Sequence, residues 1–352
     1  MKRILLASAS IVAFAGAAAA ESHSTSGITF SGDATLGYND TQAQADPVGD
    51  DDLGFYWDAG IDVTMSAALD NGLTASASFG LNVVDGSLGE DVATSDYVLS
   101  LTSDTAGLFF GNTEFAAVTH WTSAGDMEAD GFSEEDGETV LRGDITYGGV
   151  NASVSYAVDT ANDSLEQLSL GADATFGTVS VAFGYQELTT FVGGGDFNQD
   201  EVMGISVGTS FGGADVRLAY AQDSVQDTIA VKVSYPFGPV TLGVTFASES
   251  LADDYWSISA DYASGPIAAN VNFDSTDDWE LTGSYDVGNG ITAYAGVVDA
   301  GEDMYVAGSV ALGEGATLLV SYVDEGDNDD DDDEVGPNDY KEGATVELGF
   351  SF

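Results

Sequence analysis

An all-β, antiparallel transmembrane β-barrel is the fold this sequence predicts, and three observations predict it. Apolar and polar residues alternate with a period of two along most of the chain. Tight glycine turns alternate with longer acidic connections. No segment beyond the first 20 residues approaches the roughly 18 uninterrupted apolar residues that a membrane helix requires.

The elements follow in chain order. Met1-Lys2-Arg3 is a basic start, Ile4 to Gly16 is apolar, and Ala18-Ala19-Ala20 precedes Glu21. That pattern reads as a secretory signal peptide over residues 1–20, leaving a single barrel domain over 21–352. Residues 28–38, ITFSGDATLGY, set Ile28, Phe30, Ala34, Leu36 and Tyr38 against Thr29, Ser31, Asp33 and Thr35. The same alternation runs through 240–248, 254–262 and 267–274, each with one apolar and one wet face. Glycine-bearing turns recur near residues 71, 148, 177, 212, 238, 265, 289 and 314, while 39–52, 84–94, 111–138, 188–201 and 324–342 are longer and acidic. Short turns at one end and long loops at the other describe hairpins standing on a common base. Tyr147, Phe176, Phe211, Tyr235, Tyr262 and Tyr285 precede the tight turns on the apolar face, as an aromatic girdle would. The final GATVELGFSF is an apolar strand ending on Phe352, suited to closing a barrel against residues 28–38.

Charge narrows the function. The 352 residues carry 60 Asp plus Glu against 6 Lys plus Arg, with 2 His and no Cys. Nucleic acid is excluded as a partner, since phosphate contacts need a basic surface. Disulfides, thiolate metal sites and cysteine nucleophiles are excluded as well. Disorder is excluded by the 44% hydrophobic content. Removing the leader takes away two basic residues and no acids, so 4 basic residues face 60 acids and the net charge becomes -56. Strand parity places Arg142, Asp144, Arg217 and Lys232 on the wet face. It does the same for Asp33, Asp58, Asp62, Asp173, Asp215, Asp261, Asp274, Glu280 and Glu347. A lumen this acidic concentrates cations and repels anions. Paired carboxylates are too numerous to single out an acid-base pair, and the hydroxyl residues lack a histidine partner outside the 111–138 loop, so no enzyme is expected.

The opening ITFSGDATLGY, the DNGLTASASFGLNV hairpin at 70–83, the repeated FG turns and the VELGFSF ending resemble the general diffusion porins of Gram-negative bacteria, in their alphaproteobacterial, Rhodobacter-like form. The resemblance implies sixteen strands, a homotrimer in the outer-membrane lipid, and a long third loop folded into the lumen. Counting hairpins gives up to twenty strands, which leaves eighteen or twenty open beside sixteen. The corresponding loop is 111–138, with Glu114, Asp126, Glu128, Asp130, Glu134, Glu135, Asp136 and Glu138. The resemblance also implies basic residues facing that loop, and Arg142, Arg217 and Lys232 are a sparse supply.

The functional expectation is a water-filled outer-membrane channel for small hydrophilic solutes and ions, preferring cations. The rival is a non-pore barrel acting as a surface anchor or adhesin. No cofactor is expected. The run at 324–334 holds 9 acids in 11 residues. It reads first as a solvated loop, and second as a weak Ca²⁺ site at Asp329, Asp330, Asp331, Asp332 and Asp333.

Overall fold

The computed structural model describes residues 26–40, 54–85, 93–135, 137–326, 334–336 and 338–352. The leader at 1–20, Asp136 and the run Asp329–Asp333 lie outside the described residues. The chain forms β1 (Ser26–Asn39), β2 (Phe55–Ala68), β3 (Thr74–Asp85), β4 (Ala93–Thr102), β5 (Ala106–Gly111), the one-turn α1 (Ala116–His120), β6 (Val140–Tyr147), β7 (Val150–Asp159), β8 (Ser164–Phe176), β9 (Val179–Gln186), β10 (Val202–Phe211) and β11 (Ala214–Gln222). It continues through β12 (Asp227–Phe237), β13 (Val240–Glu249), β14 (Tyr255–Ser264), β15 (Ile267–Asp274), β16 (Trp279–Gly288), β17 (Ile291–Val298), β18 (Asp303–Gly313), β19 (Ala316–Asp324), β20 (Glu334–Val335), β21 (Tyr340–Lys341) and β22 (Gly343–Ser351).

Strands β1 to β19 and β22 form one 20-stranded sheet in which sequential neighbours pair antiparallel, and β20 and β21 form a separate small hairpin. The sheet closes: Leu36 of β1 lies opposite Leu348 of β22, and Asp33 opposite Ser351. Gly32 and Phe352 complete the seam with reciprocal backbone hydrogen bonds of 3.2 and 2.8 Å. Closure satisfies the edge groups that an open sheet would strand in lipid. The final strand therefore does what its alternation predicts.

The strand number corrects the sixteen implied by resemblance. Twenty strands form the barrel. The short β5 takes a full place between β4 and β6. Tight turns consume so few residues that strands of 6 to 14 residues fit twenty times into the chain. A tilted strand needs only about 9–11 residues to cross a bilayer.

The outer face is apolar around the barrel. Ile28, Phe30, Leu108, Ile145, Leu218, Ile258, Leu281 and Val306 are all exposed there. A surface of this extent has no place in water and fits hydrocarbon. No helix among the described residues is long and apolar enough to cross a membrane. Tyr147 and Phe211 are 84% and 82% exposed, directly before the Gly148-Gly149 and Gly212-Gly213 turns. Those glycines all have positive φ, which two-residue hairpin turns of this hand require. A second girdle at the long-loop end contains Trp57, Trp256 and Trp279 with Tyr38, Tyr97 and Tyr322. Three of the four tryptophans thus sit at one interface, where an amphipathic ring is at its most stable.

Barrel width grows with strand number. Here the added width accommodates two inward insertions. One is the connection between β5 and β6, residues 112–139. The other is the β20–β21 hairpin, whose Val335 and Tyr340 are buried against Tyr305 and Val323 on the inner wall. From sequence this hairpin falls within the longer acidic connection 324–342, with no strand expected there.

Candidate functional site

The 112–139 loop begins at the inner wall below β5. Phe115 and Ala116 are buried, and the first free N–H groups of α1 need acceptors. Wall hydroxyls supply them: Ala116 N–H donates to Ser155 Oγ at 2.8 Å and Ala117 N–H to Ser169 Oγ at 2.9 Å. Gly171 sits beneath this turn, and a Cβ there would lie 1.9 Å from the Ala116 carbonyl oxygen. Absence of a side chain at residue 171 is therefore a condition of the loop's seat.

The rest of the loop uses the same device. Phe132 covers Gly184, Trp121 covers Gly204, and a Cβ at Gly125 would run into the Thr245 methyl. Ala124, Met127 and Ala129 pack on Ala219, Ala221, Ala230 and Ala247 of β11 to β13. Small inward residues on β8 to β13 thus form a shallow bed for the chain. Ser133 fixes its far end: its N–H donates to Gln186 Oε1 at 2.7 Å and its hydroxyl to Gln167 Oε1 at 2.9 Å. Gln167 and Gln186 are both 1% exposed.

At the helix end, His120 Nε2 is 2.6 Å from Ser153 Oγ, and its Nδ1 is 2.5 Å from Asp173 Oδ1. Asp173 also accepts from Asn151 Nδ2 at 3.0 Å. Sequence reasoning missed this constellation because its members lie on a loop and two strands, with no shared local motif. Strand parity puts Asp173 on the wet face, and His120 beside Trp121 reads from sequence first as loop packing and second as a pH-sensitive gate; what sequence does not show is that the two meet beside Ser153. Ser153 is buried, with 7% exposure, so the group fastens the loop to β7 and β8. Replacing His120 with Ala strands Ser153 and Asp173 and costs about 1–3 kcal/mol. A lower unfolding midpoint together with noisier single-channel current is the expected outcome; an unchanged current trace would contradict the clamp.

The loop carboxylates divide by exposure. Glu114, Asp126, Glu128 and Glu134 are exposed, and Glu135 is half-buried. Asp130 is buried and accepts the Trp121 indole N–H at 3.0 Å. Glu138 is buried and accepts the Gly194 N–H. Burial lifts the Glu135 carboxyl above the ordinary range, opposed by a hydrogen bond from Asn112 and reinforced by Asp96 and Glu138.

The cations are distributed differently from the resemblance's expectation. Arg142 pairs with Asp144 at 3.1 Å, and donates through Nη1 to the Glu114 carbonyl at 2.8 Å and Thr119 Oγ1 at 3.0 Å. It lies 4.9 Å over the Phe109 ring. It ties the loop base to the wall. Arg217 and Lys232 are opposite each other on β11 and β12, one inward pair from the Ala219–Ala230 pair that the loop covers. Lys341 lies 4.2 Å over Tyr56, whose hydroxyl donates to Glu347 at 2.7 Å.

The wall opposite the loop is acidic. Asp33 on β1, Asp58 and Asp62 on β2, Glu280 on β16 and Glu347 on β22 all have the inward register, facing away from the exposed apolar set. No three-residue His, Asp and Glu cluster with metal-holding geometry occurs among the described residues.

A family model described as Gram-negative porin matches residues 7–303. The chain belongs to the Gram-negative porin family. This porin is similar to a solved triple mutant of Rhodopseudomonas blastica porin, with 16% identity, coverage of 93% of this chain and 100% of that chain, and a TM-score of 0.47. A second solved mutant of that porin gives 15% identity, the same coverage and a TM-score of 0.47. A comparison with curated proteins finds no match. The porin is an outer-membrane barrel and a transport protein, not an enzyme.

Proposed function

We propose that this porin forms a water-filled channel that passes small hydrophilic solutes and prefers cations, with its narrowest section at the 112–139 loop. The observation that carries this reading is the distribution of charge inside the barrel. The open wall presents Asp33, Asp58, Asp62, Glu280 and Glu347, and the loop presents Glu114, Asp126, Glu128, Glu134 and Glu135. Acids therefore line both sides of the passage, and Arg142 is already paired with Asp144. Low-dielectric walls focus such a field on the permeating ion.

Refolding the full chain into a planar bilayer tests the channel itself. Stepwise ohmic openings are expected, whereas a barrel serving as anchor or adhesin gives none. The homotrimer belongs to this reading too. A shallow outer-face recess of 520 Å³, lined in part by Gly27, Ala67, Ala75 and Ala77, suits close approach of a second copy. Openings grouped in threes are the corresponding outcome. The weak Ca²⁺ site at Asp329–Asp333 remains a proposal drawn from carboxylate density. Calcium-dependent heat stability that disappears on deleting the run is its expected sign.

The charge reading has dependences on salt and pH. Screening lengths fall from about 10 Å at 0.1 M salt to about 3 Å at 1 M, so cation preference weakens as salt rises. Carboxylates lose charge as pH falls toward about 4. Burial holds Glu135 above the usual range, so it protonates at a higher pH than an ordinary carboxylate. Permeability ratios recorded from pH 7 to pH 4 are expected to fall toward unity, beginning on the high-pH side of the ordinary carboxylate range. A preference unchanged across that window would contradict the carboxylate origin.

A further inference from the structure

Arg217 and Lys232 have an arrangement that the cation-preferring passage does not use. They are directly opposite in the β11–β12 ladder and point to the same, inward side. Like charges in such a pair are destabilising unless something offsets them. This chain has 60 acids with which to do so. Among the described residues, neither cation has a carboxylate within ion-pair distance. Arg217 instead donates to two hydroxyls, Ser206 Oγ at 3.0 Å and Ser180 Oγ at 3.5 Å. The carboxylate sharing the strand face, Asp215, accepts from Ser210.

These cations line a recess of 370 Å³ under the overhang of the constriction loop, with Thr122, Ser123, Ser180 and Asp215 among its walls. That volume falls within the about 300–1,000 Å³ usual for small-molecule sites. The hydroxyls that accept from Arg217 keep their own protons to donate elsewhere. Guanidinium, ammonium and hydroxyl donors thus converge on one space, and the donor set matches a tetrahedral oxyanion.

We propose that this recess is a binding subsite for a phosphate- or sulfate-type oxyanion, free or as the charged group of a hydroxylated solute such as a sugar phosphate. The anion neutralises the Arg217–Lys232 pair, and the loop and wall hydroxyls donate to it and to the solute's remaining oxygens. Anionic solutes entering a generally acidic lumen thereby have one place to rest beside the narrow section. The proposal rests on the channel reading, and its test separates the two.

Potassium current through the refolded full chain is measured first, then again with inorganic phosphate, glucose 6-phosphate or glucose added at constant ionic strength. Saturable reduction of current by inorganic phosphate, with none by glucose, is the expected result. Stronger reduction by glucose 6-phosphate places the sugar in the hydroxyl-lined part of the recess, and equal reduction assigns the site to the oxyanion alone. Arg217→Gln and Lys232→Gln, singly and together, weaken the effect, by about tenfold or more for the pair. Lys341→Gln removes the same charge elsewhere and retains the effect. Isothermal titration of inorganic phosphate into the detergent-solubilised chain reads the same subsite without current. Failure to conduct would sink the channel reading alone. No saturable phosphate effect and no titration heat, or both surviving the double substitution, would overturn the subsite.

Discussion

Gly171→Val is expected to release the 112–139 loop, the proposed narrow section, and raise single-channel conductance by roughly twofold or more, since pore cross-section sets the passive current. The added Cβ would stand 1.9 Å from the Ala116 carbonyl oxygen, and backbone has no rotamer by which to escape. It would also approach His120 Cδ2 at 2.8 Å, disturbing the link to Ser153 and Asp173. Overpacking of this kind costs about 1–3 kcal/mol, more than a loop held by a few hydrogen bonds and alanine contacts readily absorbs. The barrel ladder around Gly171 is continuous on both sides, so the strands themselves are expected to remain paired. Conductance measured together with heat-modifiable migration in gels separates the outcomes. Larger openings from an intact barrel support the seat, and wild-type openings would show that the loop is not the narrow section.

The second large effect comes from neutralising the open wall. Asp33→Asn, Asp58→Asn, Asp62→Asn and Glu280→Gln in one chain remove four charges without changing side-chain size appreciably. None of these side chains carries the loop, so the loop's seat on β8 to β13 is untouched. The ratio of cation to anion permeability is expected to fall by about threefold or more, with conductance in concentrated salt changing little. Equal ratios in the variant and the parent chain would move the origin of selectivity to the loop carboxylates alone. Combining this variant with Gly171→Val compares the two contributions directly, because the affected residues share no contacts.

Much of the barrel was legible in the sequence because its physics is local. Alternation fixes which face meets lipid, as with Ile145 and Leu218 outside and Arg142 and Arg217 inside. Glycine pairs fix the tight turns, as at Gly148-Gly149. The terminal VELGFSF pairs with β1 as its pattern predicts. Strand number was less secure, because residues such as those of β5 make a strand too short to stand out from a loop. Only its two neighbours reveal it. The resemblance favoured sixteen, while the hairpin count that included such segments reached the observed twenty.

The site was only partly readable, since it is assembled by long-range packing. Acidic residues in 111–138 marked the loop, but not that Asp130 and Glu138 turn inward to bond with Trp121 and Gly194. Gly171, Gly184 and Gly204 form the loop's bed, yet within a strand each reads merely as a weak sheet former. His120 has sequence separations of 33 and 53 residues from Ser153 and Asp173, so no spacing rule joins them. The inward β20–β21 hairpin left one trace, Val335 and Tyr340 as apolar residues that each follow an acid, Glu334 and Asp339. Opposite placement of Arg217 and Lys232 required the register of β11 on β12, which parity cannot supply.

The cation preference proposed for this porin originates in an acidic, water-filled lumen. Reversal potential across a bilayer separating concentrated from dilute potassium chloride tests it most directly. The dilute side is expected to become positive, as potassium crosses ahead of chloride. A positive concentrated side, meaning chloride crosses first, would contradict it.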